Sequence, residues 1–316
     1  MSHKIDDMLE AVLASYAQHP HICKIGETQF PKCHLILAVL KKLQYVIFPG
    51  YFDQKELRSD NIRFYTGQLL EEIRETLLEQ VAKTFRLFKE EYKDATDDVI
   101  QKHSEEVVDT FLGAIPKIRE YLATDIEAAY EGDPAAFSRD EVISSYPGIY
   151  ATMVNRIAHE LYELGVPLIP RIMTEHAHSV TGIDIHPGAK LGRYFFIDHG
   201  TGIVIGETSE IGEHAKIYQG VTLGALSTRG GQQLKGKKRH PTIEDDVTIY
   251  SGASILGGET VISGGVVIGG NAFVTKSVPE QTRVSAKLPE LQFKRNKSVE
   301  FQNGEFQNGE FLNYEI

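Results

Sequence analysis

Three histidines lie close to charged residues in a part of the chain that is otherwise rich in isoleucine and glycine. His186 comes two residues after Asp184, His199 follows Asp198, and His240 follows Arg239. An imidazole, with an unperturbed pKa of about 6.5, can accept a proton at cellular pH. A carboxylate close to the ring fixes its tautomer and stabilises the cation that forms. The pattern indicates general base chemistry at His199, provided that the fold brings an acid to the imidazole.

Apolar residues recur every six positions in the second half of the chain. A helix repeats at about 3.6 residues and a simple strand at about 2, so a sustained period of six fits a parallel β-helix, in which each hexad forms one short strand. A sandwich of evenly spaced strands is the alternative, but three phased runs disfavour it. The predicted inward positions are Ile185, Leu191, Ile197 and Ile203; Ile205, Ile211, Ile217 and Leu223; and Ile243, Ile249, Ile255, Val261, Val267 and Phe273.

The repeat offers a carboxylate to His199 from another coil. Asp184 precedes His199 by 15 residues, and three hexads make roughly 18 residues. The two residues can therefore lie on nearly adjacent coils close to one corner. For any single histidine, a solvated surface position is the commoner situation. Several polar groups interrupt the apolar repeat here, and this coincidence favours the chemical interpretation.

The first half of the chain has the pattern of amphipathic helices. Apolar residues recur there at three or four positions. Pro116 is expected to begin or kink a helix, and Asp133 is expected to cap a helix that has Pro134 in its first position. The helical runs are Leu70, Ile73, Leu77, Val81, Phe85 and Phe88, and Val108, Phe111, Ile115, Ile118 and Leu122.

These patterns predict an α+β chain in three parts. A helical domain covers residues 1–182, a left-handed parallel β-helix of hexapeptide repeats covers 183–280, and a flexible C-terminal tail covers 281–316. The tail contains the polar duplication FQNGEFQNGEF, a composition that buries too little apolar surface to fold alone.

A basic segment interrupts the β-helix. The hexads stop between Leu223 and Ile243, and residues 225–242 are predicted to leave the coil as a loop. Clustered basic side chains can bind the phosphates of a cofactor, while a solvated loop is the alternative. The basic residues are Arg229, Lys235, Lys237, Lys238 and Arg239.

Composition excludes several classes of function. The formal net charge of −11 disfavours a nucleic-acid partner. No apolar run approaches the roughly 20 residues that cross a bilayer, so no membrane partner is expected. Cys23 and Cys33 are too few for a disulfide framework, and the acidic start lacks the apolar core of a secretory signal. These features predict a cytoplasmic protein.

Four strings of the sequence resemble one family. They are TGIDIHPGAKLGRYFFIDHGTGIVIGETSEIGEHAKIYQGVTLG, RHP, DIEAAYEGDPAA and RIAHEL, and they are similar to the serine acetyltransferases, the hexapeptide-repeat enzymes that make O-acetylserine for cysteine synthesis. The resemblance implies an enzyme that transfers the acetyl group of acetyl-CoA to the hydroxyl of L-serine, without a metal.

The resemblance also implies roles for individual residues. His199 matches the general base, Asp184 the acid that supports it, and His240 the second catalytic histidine. The substrate-binding positions hold the carboxylate and the amino group of serine or lie near the second histidine; they are Asp133, Asp198, Arg239 and Glu207.

Cofactor and partners follow from the same resemblance. Acetyl-CoA is expected along the coil between neighbouring subunits of a homotrimer or a dimer of trimers. The terminal Ile316 is expected to dock into cysteine synthase, the O-acetylserine sulfhydrylase, as an apolar anchor with a free carboxylate. The cofactor-binding candidates, including two loop lysines, are Gly224, Ser251, Gly252, Gly270, Lys235 and Lys237.

Two other functions are compatible with the repeat. A hexapeptide acetyltransferase for another hydroxyl acceptor would also use one histidine. A zinc carbonic anhydrase on the same kind of coil would need three histidines that converge on the metal, for which His186, His199 and His240 are the candidates.

Overall fold

The hexad repeat forms a parallel β-helix in the computed structural model, which describes residues 2–26, 30–53 and 55–286. Each of the first four turns of the coil contributes one short strand to each of three sheets, and the last turn contributes a strand to two of them and an isolated bridge, Val278 on Ile262, to the third. The strands are β1 (Asp184–Ile185), β2 (Lys190–Leu191), β3 (Phe196–Asp198), β4 (Val204–Ile205), β5 (Glu210–Ile211), β6 (Lys216–Tyr218), β7 (Thr222–Gly224), β8 (Thr242–Ile243), β9 (Thr248–Ile249), β10 (Ser254–Leu256), β11 (Val261–Ile262), β12 (Val267–Ile268), β13 (Phe273–Val274) and β14 (Arg283–Val284).

Strand order follows directly from the coil. We name the sheets A (β1-β4-β7-β10-β13), B (β2-β5-β8-β11) and C (β3-β6-β9-β12-β14). All pairings are parallel, and inward residues stack on inward residues, as Ile197 on Ile217. The parallel β-helix predicted from the sequence is therefore confirmed, and β14 extends it past residue 280.

The inward positions match the prediction up to Ile255 and then shift by one residue. Ile262 and Ile268 are fully buried, whereas Phe273 is 72% exposed and Val274 points inward. The prediction of Val261, Val267 and Phe273 as inward residues is wrong. The chain makes an extra-residue turn at Gly257, with φ of +108°, a conformation open to glycine because it lacks a Cβ. This turn moves every later strand by one position, and the side chains exchange faces.

Eight α-helices precede the coil in the described residues. They are α1 (Ser2–Gln18), α2 (Cys33–Ile47), α3 (Ile62–Phe88), α4 (Asp97–Gly113), α5 (Ile115–Gly132), α6 (Arg139–Ser145), α7 (Pro147–Glu163) and α8 (Ile169–Thr181). The predicted helical runs lie in α3 and across α4 and α5, and Pro116 lies in the first turn of α5.

Asp133 does not begin a helix, so that prediction is wrong. It follows the last residue of α5 as the C-cap, and its carboxylate accepts the backbone N–H of Ala135. Pro134 therefore lies in a turn, and the N-cap of the next helix is Ser138, whose hydroxyl accepts the N–H of Glu141.

The helices pack directly on the first coil of the β-helix. Phe196 of β3 belongs to the helical core, and Ala151 of α7 belongs to the core of the coil. Two glycines permit the contact: a Cβ on Gly132 would lie 2.8 Å from the Phe196 ring, and a Cβ on Gly148 would lie 2.8 Å from the Ile197 carbonyl oxygen. The end of α5 and the start of α7 are thus held against β3.

A buried ion pair lies at the centre of this contact. Asp125 is fully buried and Arg156 is 7% exposed; the guanidinium binds the carboxylate through two hydrogen bonds, of 2.7 and 2.8 Å. Arg156 also donates to the carbonyls of Leu191 and Gly192. Asp125 also accepts the N–H of Phe195. The pair therefore joins α5 and α7 to the turn between β2 and β3.

The described residues, up to residue 286, form one compact unit. Among the described residues, none of the helices combines the length and the hydropathy that a bilayer crossing requires. The prediction of a flexible tail from residue 281 is wrong for residues 281–286, because β14 pairs with β12; the rest of the predicted tail, with Ile316, lies outside the described residues.

We predict that Arg156→Met destabilises the protein by about 3–5 kcal/mol, since it leaves a buried carboxylate without its partner. Urea unfolding at fixed protein concentration measures this. Arg74→Met is the matched control, because Arg74 pairs with Asp109 on the surface and such pairs contribute little. Equal effects of the two substitutions would contradict the central role of the buried pair.

Candidate active site

His199 lies at the corner between sheets C and A, which we call the His199 edge. On most turns of the coil this corner contains one residue with positive φ: Gly182, Gly202, Gly220, Gly252 or Asn271. Between Ile197 and Ile205 the chain has two residues more than the regular hexad, and His199 itself has φ of +56°. The longer corner projects the imidazole outward, where its side chain is 75% exposed.

Two carboxylates lie beside this imidazole. His199 Nε2 is 3.8 Å from Asp198 Oδ1. Asp133, at the end of α5, accepts a 2.5 Å hydrogen bond from the Tyr146 hydroxyl. This hydrogen bond is the main cause that lowers the pKa of Asp133, and the N–H of Ala135 adds to it. The corner therefore combines a base with an ionised acid, an arrangement suited to an ammonium group next to a reacting hydroxyl.

A lysine that the sequence did not single out completes the group. Lys216 Nζ is 3.9 Å from Asp198 Oδ2 and donates a 2.6 Å hydrogen bond to the Gly132 carbonyl. The sequence could have indicated Lys216, because it lies one coil after Phe196 and pairs with it between β3 and β6.

Asp184 borders the same edge. It begins β1 and lies opposite Val204 of the next coil, so it falls on the coil adjacent to His199, as the spacing predicted. Its carboxylate, a Glu175 oxygen and a His178 ring nitrogen lie within 4.8 Å of one another. The direct support of His199 by Asp184 stays a prediction.

His240 lies at a different corner, between sheets A and B, which we call the His240 edge. Its ring packs against Gly206, where a Cβ would approach it to 2.1 Å. The backbone N–H of Thr208 donates to His240 Nδ1 at 3.0 Å. Nδ1 is therefore an acceptor, and the neutral ring carries its proton on Nε2.

Burial, with the charge of Arg239 second, lowers the pKa of His240 to about 4. The ring is consequently neutral at neutral pH. With Nδ1 occupied as an acceptor, it can donate a hydrogen bond from Nε2 but has little capacity to act as a base. His199 and His240 thus differ in chemistry: an exposed potential base and a fixed donor.

Arg239 and Glu207 form the polar part of the His240 edge. The Arg239 guanidinium donates to Glu207, and the Tyr162 hydroxyl donates to the same carboxylate at 3.0 Å. Arg239 Nη1 is buried and has no hydrogen-bond partner among the described residues. A buried donor of this kind is costly unless it is paired, so it offers a position for an anionic group of a substrate.

The cofactor candidates divide between the two edges. Ser251, Gly252 and Gly270 lie on the His199 edge, where a Cβ on Gly220 would lie 3.4 Å from Gly252, and the Asn271 side chain covers Gly252 from the next turn. Gly224 ends β7, so it lies on the His240 edge. Lys235 and Lys237 follow the short helix Gly231–Leu234 in the loop between β7 and β8, and both are exposed.

Sheet A separates the two edges within one chain. His199 precedes β4 and Glu207 follows it. His186 follows β1 and therefore lies on the His240 edge, where its ring contacts Tyr162 edge to face, with the centroids 5.9 Å apart. Within one chain, His186, His199 and His240 do not converge on one point, so a single chain does not form the three-histidine arrangement of a zinc carbonic anhydrase.

Comparison with known proteins identifies the family. A scan of protein-family models finds no match. A Synechococcus elongatus protein described as 'Serine acetyltransferase, plasmid' is 46% identical to this chain over 252 residues, which are 78% of this chain and 79% of that protein. The chain belongs to the serine acetyltransferase family. It is therefore an enzyme, and the resemblance in its sequence is confirmed.

Solved structures of serine acetyltransferases share the whole architecture. Isoform 3 from Entamoeba histolytica, crystallised in complex with cysteine, aligns with a TM-score of 0.69 at 36% identity, over 94% of this chain and 96% of that one. The enzyme of Neisseria gonorrhoeae in complex with serine aligns with a TM-score of 0.52 at 26% identity, over 83% and 98% of the two chains.

Proposed function

We propose that this serine acetyltransferase transfers the acetyl group of acetyl-CoA to the hydroxyl of L-serine, giving O-acetylserine and CoA for cysteine biosynthesis in the cytoplasm. The observation that carries the proposal is the His199 edge, where an exposed imidazole lies beside the carboxylates of Asp133 and Asp198. Two acids next to one base suit an acceptor that carries an ammonium group close to its hydroxyl.

The proposed reaction is direct transfer. His199 takes the proton of the serine hydroxyl while the oxygen forms a bond to the thioester carbonyl carbon. The C–S bond then breaks, CoA leaves as a thiolate, and the proton held by His199 can neutralise it. Asp184 and Asp198 stabilise the imidazolium that forms in between.

Substrate binding uses both edges. Asp133 and Asp198 receive the serine ammonium. Arg239, whose Nη1 is unpaired among the described residues, receives the carboxylate, and Glu207 holds the guanidinium in place. His240 donates from Nε2 to a substrate oxygen, as its accepting Nδ1 requires.

Acetyl-CoA fits the His199 edge. Gly202, Gly220 and Gly252 present backbone without side chains along the corner that also carries His199. Ser251, Gly252 and Gly270 would line the cofactor there, and Gly224, Lys235 and Lys237 would approach it from the His240 edge of a neighbouring copy. The lysines suit the phosphates by charge.

The proposed assembly is a homotrimer, alone or as a dimer of trimers. Sheet A keeps the two edges of one chain apart, and each edge holds only part of the required chemistry. Threefold symmetry places the His199 edge of one subunit against the His240 edge of the next, in the heterologous contact that closes a ring.

We expect His199→Ala to lower kcat for serine acetylation by about 10²–10⁴-fold, since a positioned general base contributes that much, with a smaller effect on the KM for acetyl-CoA. Thiol release from acetyl-CoA measures both constants. His214→Ala is the control, because His214 is exposed at another corner, stacked on Tyr194. An unchanged kcat in His199→Ala would remove this residue from the mechanism.

The same assay tests the acceptor. Serine is expected to exceed threonine, homoserine and sugar hydroxyls, because the paired acids select an ammonium near the hydroxyl. A faster reaction with a sugar hydroxyl would assign the chain to another acceptor.

Mixed trimers test the assembly. His199→Ala and His240→Ala are each expected to be strongly impaired. Their co-expression should restore about a quarter of the wild-type rate, because each mixed trimer has one site with both histidines. Sedimentation establishes the trimer and mass spectrometry its mixed composition. Mixed trimers without restored activity would place the complete site within one chain.

Cysteine synthase remains part of the proposal through Ile316. Deletion of residues 312–316 is expected to abolish co-elution of the two enzymes and to leave acetyl transfer unchanged, because the tail lies after the coil in sequence. Gel filtration of the mixture measures this. Undiminished co-elution would remove the tail as the docking element.

A further inference from the structure

Lys216 is held in one position at the His199 edge. It begins β6, and in the pairing of β3 with β6 it lies opposite Phe196. Its ammonium is 4.8 Å from the centroid of the Phe196 ring and 5.0 Å from that of Tyr218. With a side chain only 23% exposed, Lys216 has both its apolar stem and its charge in contact with other groups.

The end of α5 provides a further contact. Lys216 donates to the carbonyl oxygen of Gly132 at 2.6 Å, at the helix terminus where the partial charge is negative. A Cβ on Gly132 would lie 3.6 Å from the lysine nitrogen, which is an ordinary van der Waals contact, but 2.8 Å from the Phe196 ring on which the lysine packs, so glycine is required by the ring rather than by the lysine. Gly132 directly precedes Asp133, so this hydrogen bond also positions the backbone from which the Asp133 side chain extends.

Negatively charged groups outnumber positively charged ones around His199. Asp133 and Asp198 are carboxylates, and Asp184 borders the same edge on the preceding coil. Tyr146 adds no charge, because burial, together with the hydrogen bond to Asp133, raises its pKa. Lys216 supplies a positive charge that acts on Asp133 together with His199. The titratable and charged groups around the His199 edge are Asp133, Tyr146, Asp184, Asp198 and Lys216, and Glu175 and His178 lie close to Asp184.

We propose that Lys216 is a positioning residue of the acetyl-transfer site: its ammonium holds Asp198 and offsets the carboxylates beside His199, so that the imidazole stays neutral and able to accept a proton. The proposal rests on the function proposed above. Without this positive charge the carboxylates would favour the protonated imidazole even before it has taken a proton from the substrate. A larger fraction of the enzyme would then be protonated, and inactive as a base, at a given pH.

The test compares Lys216→Met with Lys216→Arg. Methionine retains an unbranched stem between the two rings and removes the charge, whereas arginine retains the charge. We expect the acid limb of kcat/KM for serine in Lys216→Met to move to higher pH by about 0.5–1 unit, a modest effect for one nearby charge because the His199 side chain is exposed and solvent screens the interaction. At pH values below the limb this shift lowers kcat/KM by about 3–10-fold, and the plateau of kcat/KM at high pH changes less.

Lys216→Arg is expected to keep the limb of the wild type. Lys190→Met is the matched control, because Lys190 begins β2 on sheet B and lies away from the His199 edge. A limb that does not move in Lys216→Met, or that moves equally in Lys190→Met, overturns the proposal. Circular dichroism establishes that each variant is folded.

A second measurement separates this inference from the proposed function. Hydrogen–deuterium exchange at the imidazole C2 position, followed by mass spectrometry of the ligand-free protein, gives the titration of His199 without any turnover. Its midpoint should rise in Lys216→Met and stay in Lys216→Arg. If the wild type does not acetylate serine, the proposed function fails while this titration still decides the role of Lys216. An unchanged midpoint refutes that role even in an active enzyme.

Discussion

The ion pair of Asp125 and Arg156 determines how the helices meet the β-helix. Both side chains are buried, and besides each other they bind the backbone of the turn that leads into β3: the carbonyls of Leu191 and Gly192 and the N–H of Phe195. In a dry interface each of these groups is costly when unpaired. Helix contact and turn must therefore form together. Since β3 ends at Asp198, this contact, together with the packing of Gly132 on Phe196, sets the position of His199 relative to Asp133.

The β-helix holds the functional side chains in fixed positions, and it also keeps them apart in two groups. The His199 edge holds the exposed imidazole, two carboxylates and Lys216, whereas the His240 edge holds a fixed hydrogen-bond donor and an arginine with one unpaired nitrogen. The parallel strands of sheet A lie between the edges at fixed register, and no loop of the described residues joins the two groups of side chains. The separation is what makes contact between neighbouring copies a reasonable way to complete the site.

The period of six predicted the coil because inward positions depend on local spacing alone. It failed after Ile255, where one added residue at Gly257 shifts the later strands, and sequence spacing does not distinguish Val261 from Ile262 as the inward residue. Asp133 was misplaced for a related reason: an Asp-Pro pair suits a helix start, but tertiary contact with Tyr146 keeps it in a turn. The roles of His199 and His240 came from family resemblance, whereas Lys216 becomes visible only when β3 and β6 are paired.

The two added residues at the His199 corner explain how a coil of this kind can carry an imidazole there. At the regular corners the position with positive φ is occupied by glycine on most turns, and successive glycines lie close together: a Cβ on Gly220 would be in van der Waals contact with the backbone of Gly252, at 3.4 Å, and a Cβ on Gly202 with Gly220, at 3.5 Å. A side chain such as histidine also pays a conformational cost at positive φ. In the longer corner these two roles fall on different residues. Gly202 occupies the regular position in the stack, and His199, three residues earlier, extends outward. The base and the smooth backbone surface on which a long cofactor could lie can thus share one edge.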